Sequence, residues 1–231
     1  MILEYNYFLK KDFWMRTYIT HAITTLFITM FHSSNVYAHH PLAGQKMETF
    51  YHGLISGIGH PILGFDHLFF IIGVGILCLL AKKIFLGPMS FIIGMMVGLF
   101  IIISGYNLFL VEFIIAISLL LIGVFIISGK KVNFSFISSS LLVVGLFHGW
   151  AFGETIVGQE NVNSYVLSGY LLGLSIIVWA LSVASSIIYK NIYKVFDLND
   201  IKVKVSGGII AGVGAFLLLE NIENRIISLI I

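Results

Sequence analysis

His60-Pro61-Ile62-Leu63-Gly64-Phe65-Asp66-His67 sets two imidazoles and a carboxylate at the head of an apolar stretch long enough to cross a bilayer. Ionisable groups at that depth are costly in hydrocarbon, so the cluster requires a polar partner or a cation. A second cluster, Phe147-His148-Gly149-Trp150-Ala151-Phe152-Gly153-Glu154, closes another apolar stretch far downstream. Imidazole nitrogen with carboxylate oxygen and no thiolate suits borderline divalent ions such as Ni²⁺, Co²⁺ or Zn²⁺. Asp66 has two roles open to it, direct ligand or acceptor orienting an imidazole. A transported ion must also leave, so an incomplete cage shared between helices fits better than a closed four-ligand site. The plainer reading of any one membrane-embedded histidine is a helix-to-helix hydrogen bond.

Spacing limits what these groups can do together. On a straight helix His60 and His67 share a face to within about 20° but stand about 10 Å apart, too far to hold one ion. Pro61 suits the first turn of a helix, which places His60 just outside it and free to fold back. His148 and Glu154 do not share a face of a regular helix, so Gly149 and Gly153 predict an irregular or terminating segment, tolerated where it lines a cavity. Glu112, His39, His40 and His52 complete the candidate set, the last three as a group that could collect metal or simply be solvated. Glu160 and Glu220 read as solvated ends.

The elements that must position these groups follow from composition. Of 231 residues 58% are hydrophobic and 10% charged, with a mean hydropathy of +1.01. That is outside the range of a soluble domain and predicts an all-α, polytopic membrane protein. The net charge of +2 is spread as lysine pairs between apolar runs, which excludes a nucleic-acid face. Cys78, the single cysteine, reads as a small buried hydrophobe and rules out an internal disulfide or thiolate cage.

Residues 1–38 read as a signal peptide. Lys10, Lys11 and Arg16 precede the apolar stretch Tyr18 to Phe31, and Val36-Tyr37-Ala38 offers a cleavage site before His39. His21 and His32 belong to this leader. Residues 39–231 then form a single membrane domain of about six spans, at approximately Ile62–Leu80, Met89–Tyr106, Leu108–Ser128, Phe136–Phe152, Val166–Tyr189 and Val205–Leu219. Met47 to Gly59 is expected as a short helix at the surface. Lysines follow spans one, three and five, while the intervening turns carry no lysine or arginine. The positive-inside rule makes the lysine loops cytoplasmic and the mature N-terminus external, the orientation a cleaved signal also predicts. His60, Asp66, His67, His148, Glu154 and Glu112 then converge on the outer third of the membrane. Asn133-Phe134-Ser135 matches a glycosylation acceptor but falls on the cytoplasmic side and is set aside. Glycine pairs four apart (Gly94/Gly98, Gly149/Gly153, Gly169/Gly173, Gly208/Gly212) predict close helix contacts, with a part in the chemistry expected only of Gly149/Gly153.

A signal peptide ending just before histidine, then HPxxGxDH at His60–His67, then FHGxA at Phe147–Ala151, resembles the HupE/UreJ family over essentially all of 39 to about 219. The resemblance implies an inner-membrane secondary permease that takes up Ni²⁺, or Co²⁺, as its substrate, with an indirect link to hydrogenase or urease maturation. It implies functional roles for His60, Asp66, His67 and His148, with Glu154 and Glu112 as the acidic residues of the second motif and third span. Relatives often carry a second histidine or another polar residue where Phe152 stands, a departure bearing on Glu154 and on metal preference. The expected partners are a divalent ion and the lipid bilayer; a homo-oligomer is possible, and no prosthetic group or enzymatic activity is expected. Two rival readings are an intramembrane metal hydrolase, which the absence of any HExxH pattern disfavours, and a metal-binding accessory protein.

Overall fold

The computed structural model describes residues 46–131, 133–157, 163–195, 197 and 199–230. The expected signal segment lies outside the described residues, as do His39, His40 and Glu160. Among the described residues the chain is wholly helical: α1 Phe50–Leu63, α2 Phe65–Leu80, α3 Gly87–Ile103, α4 Val111–Ser128, α5 Phe134–Val157, α6 Ser164–Ile187 and α7 Ile201–Ile230. A π-helical turn, Ile188–Ile192, extends α6. Local chemistry fixes several of the ends. The Thr49 hydroxyl accepts from the His52 N–H at the start of α1, and the Asn163 side chain accepts from the Val166 N–H at the start of α6. Pro88 occupies the first turn of α3, where its missing N–H costs nothing. Gly129, at φ 63°, closes α4 in the left-handed conformation that glycine adopts without penalty.

Each of the six expected spans falls on a helix. Among the described residues α4, α5, α6 with its π turn, and α7 are long and apolar enough to cross a membrane, and α1 with α2 makes a bent pair that is long and apolar enough to count as a fifth when taken as one span. α3 is apolar but has only 17 residues, about 25 Å. The largest boundary difference is α7, which continues to Ile230 rather than stopping near Leu219. Hydropathy marks where lipid ends, whereas the polar stretch Glu220 to Arg225 can continue the helix into water.

The segment expected at the surface does not lie apart from the bundle. α1 runs along α6, with Gly53 and Gly57 against the Val166 and Tyr170 carbonyls, and Gly169 and Gly173 against the Phe50 and Leu54 carbonyls. α3 and α5 interlock similarly through Gly94, Gly98, Gly145 and Gly149. The expectation for Gly208/Gly212 fails: a Cβ there would meet nothing described within 4 Å. The α4·α7 contact uses Gly123, Gly207 and Gly214 instead, one face round the helix. α2 is tied to α6 by hydroxyls, since Ser182, Ser185 and Ser186 donate to the Ile71, Ile72 and Gly75 carbonyls. Such bonds hold helices together where lipid supplies no hydrophobic drive between them.

Candidate functional site

The break between α1 and α2 builds the first half of the site. The two helices meet at 81°. Gly64 is extended at φ −83°, ψ 111°, and its N–H returns to the His60 carbonyl at 3.0 Å. This corrects the expected position of the bend. Pro61 sits inside the last turn of α1 rather than opening a helix, and His60 belongs to that same turn. The consequence for the histidines is the one anticipated: the His60 and His67 ring centroids stand 5.7 Å apart. Gly64 leaves room for both side chains, because a Cβ would lie 2.8 Å from His67 Cδ2 and 3.1 Å from Asp66 Oδ1 and displace them.

α5 supplies the second half, and it too departs from expectation. The segment around His148 is regular helix throughout, with Gly149 and Gly153 spent on packing against α3 at Met95, Leu99 and Ile102. The close approach seats His148 in the interior, fully buried, while His60 and His67 are 9% and 6% exposed. Phe70 and Phe91 flank the His148 ring at 4.4 and 5.3 Å. Phe152, one turn on, contacts both other histidines, at 5.1 Å from His60 and 4.2 Å from His67.

The hydrogen bonds orient the rings. His67 Nδ1 and His148 Nδ1 face each other at 3.2 Å. Ser118 donates its hydroxyl proton to the Ile115 carbonyl at 2.7 Å, which leaves its oxygen to accept from His148 Nε2–H at 3.3 Å. That assigns the Nδ1 lone pair of His148 to the side facing His67. Asp66 Oδ2 lies 3.6 Å from His67 Nε2, on the ring edge away from His148. Each imidazole therefore turns Nε2 towards an oxygen acceptor and Nδ1 towards the other imidazole. This is how metal-binding histidines are held, with the far nitrogen tied back by an acceptor. Two nitrogens 3.2 Å apart, each about 2.0–2.1 Å from a shared ion, would subtend roughly 100°. On the α6 side, Tyr170 donates to the Phe152 carbonyl at 2.8 Å and presents its oxygen 3.5 Å from His60 Nδ1.

The predicted residues thus divide. His60, Asp66, His67 and His148 come together. Glu112, in the first turn of α4, and Glu154, six residues beyond His148, are exposed and near enough to feel each other's charge, but they stand apart from the imidazoles. His52 is engaged locally, its Nδ1 accepting from the Glu48 N–H at 3.2 Å. Among the described residues no three His, Cys, Asp or Glu side chains are gathered closely enough to enclose an ion. Ser118 and Tyr170 were not among the residues expected from the sequence. Tyr170 carries one signal, a tyrosine deep in an apolar span, whereas Ser118 carries none.

The sequence profile described as HupE / UreJ protein matches residues 26–217. Among curated proteins, the chain is similar to "Protein HupE" of Rhizobium leguminosarum bv. viciae. The two are 28% identical over 170 residues, which cover 72% of this chain and 85% of the relative. No solved structure matches.

Proposed function

The chain belongs to the HupE/UreJ family, and from that membership we propose that it is a permease carrying Ni²⁺ across the cytoplasmic membrane into the cell. The family is one of nickel or cobalt transporters or accessory proteins rather than enzymes. The single observation that carries the transport reading is the facing Nδ1 pair of His67 and His148, with Asp66 and Ser118 behind the two Nε2 atoms. Two imidazoles bind a borderline dication, and a set that forms no closed cage among the described residues lets it go again. His60 stands beside His67 as the next imidazole along the path, and Glu112 with Glu154 forms an acidic rim that concentrates cations.

In this reading the mature N-terminus and the histidine end are external and the lysine loops cytoplasmic. No P-loop pattern occurs in the sequence, so movement is driven without ATP hydrolysis by this chain. The membrane potential alone favours an inward dication by about 4.6 kcal/mol per 100 mV. The ion supplies cytoplasmic nickel enzymes such as hydrogenase or urease.

The test is uptake of radioactive nickel into proteoliposomes by the native chain, Asp66→Asn and His67→Ala. Saturable uptake by the native protein, lost in both variants, is expected. Nickel bound without flux would sink the permease and leave the accessory reading; a His67→Ala chain that transports normally would remove the site.

A further inference from the structure

At the far end of α2 from His67, about 20 Å along the helix, the lysine loops do more than coat a surface. Lys82 from the α2–α3 connection, Lys130 and Lys131 from the α4–α5 connection and Lys190 from the π turn after α6 line one cavity of about 890 Å³. Asp197 is the only acidic side chain in its lining among the described residues. Among the described residues none of the four ammonium groups has an ion-pair or hydrogen-bond partner. Four like charges around one cavity repel each other and attract an anion.

A second cavity adjoins this one. A groove of about 770 Å³ runs between α4 and α5, and the two share Leu77, Phe125, Lys130 and Ile137 as walls. The groove is apolar and faces sideways, since its edges Leu121 and Val143 are 60% and 56% exposed on the lipid-facing surface. Along α4 it extends from Ser128 to Ile114, about 21 Å, roughly two-thirds of the ~30 Å hydrocarbon thickness. The Ser118 and Ser128 hydroxyls are satisfied by carbonyls of their own helix and leave the groove without a demand for water.

We propose that this composite cavity binds one anionic phospholipid, its phosphodiester among Lys82, Lys130, Lys131 and Lys190 and one acyl chain laid between α4 and α5. The charge selects a phosphate, as basic pockets between transmembrane helices do. The length and apolarity of the adjoining groove select a lipid over a free anion. The lipid closes a seam that protein packing leaves open. The site does not depend on the metal reading.

Binding is measured by native mass spectrometry on the purified full chain, offered phosphatidylglycerol or phosphatidylcholine with identical acyl chains. A single retained phosphatidylglycerol, preferred at least about tenfold, is expected. Lys130→Gln/Lys131→Gln loses that preference, while Lys130→Arg/Lys131→Arg keeps it. Ser140→Trp, which fills the groove from an exposed position, weakens retention with the lysines intact. Equal retention of the two lipids, or a preference indifferent to the glutamine pair, would overturn the proposal. So would complete displacement by inorganic phosphate, which would make this a free-anion site, or full retention by Ser140→Trp.

Discussion

At the histidine end, His148 is sealed between Phe70, Phe91 and Ser118 with no exposure at all. At the lysine end, four ammonium groups surround an open cavity. α5 serves both ends, and its two neighbours account for the difference. Against α3 it packs through glycines, backbone against backbone, and imidazole can be buried beside that contact. Against α4 it leaves a groove. Close approach produces a dry, oriented site, and a withheld contact produces a place for something the protein does not itself provide.

The comparison breaks most completely at Gly149. A Cβ there would fall 1.9 Å from the Met95 carbonyl oxygen, which is backbone and cannot swing aside. Gly149→Val forces α3 and α5 apart and moves His148 with them. Overpacking costs about 1–3 kcal/mol, and a backbone obstacle puts this case at the upper end. Thermal unfolding in detergent shows it as a lowered Tm together with lost nickel binding. An unchanged Tm would mean that the α3·α5 contact is not what seats the histidine.

The next effect is smaller and sharper. Ser118→Ala removes the acceptor behind His148 Nε2 while leaving the fold and both Nδ1 atoms in place. Loss of such a partner weakens metal affinity roughly 10–100-fold, and isothermal titration with Ni²⁺ reads it directly. Ser118→Thr, which keeps the hydroxyl, restores most of the affinity. If alanine and threonine bind equally well, His148 is not oriented through Ser118.

Phe152→His tests the open side of the same site. The native ring touches both His60 and His67, so an imidazole there adds a donor to a set that is incomplete without it. Nickel binding tightens on the order of tenfold, ~1.4 kcal/mol, and uptake slows because the ion leaves less readily. Tighter binding with faster uptake would contradict the view that incompleteness serves release.

The grouping at the histidine end was legible because ionisable groups inside apolar runs are conspicuous, and His60, Asp66, His67 and His148 do lie near one another. Its geometry was less so. The break falls at Gly64 because the chain turns extended there, although proline is the louder signal three residues earlier. The regular course of α5 was misjudged because glycine reads equally well as a breaker and as a packing surface. Gly207 and Gly214 were missed in favour of Gly208 and Gly212 because rotation about a uniformly apolar helix is set by its neighbours. Ser118 acquires its role only when α4 and α5 meet, a tertiary fact that leaves no trace in spacing.

The acidic rim should yield the smallest effect, and its smallness is informative. Glu112 and Glu154 are exposed, apart from the imidazoles, and close enough to reinforce each other's field. Charges in that position act on arrival more than on holding, and salt screens them. Glu112→Gln/Glu154→Gln should lower the initial uptake rate by about twofold at low ionic strength, with the deficit vanishing in high salt and the affinity of the bound ion unchanged. If the double variant instead abolishes nickel binding at any ionic strength, the carboxylates are ligands. The histidine end would then have to close around its ion during transport, drawing α4 and α5 together along the groove between them.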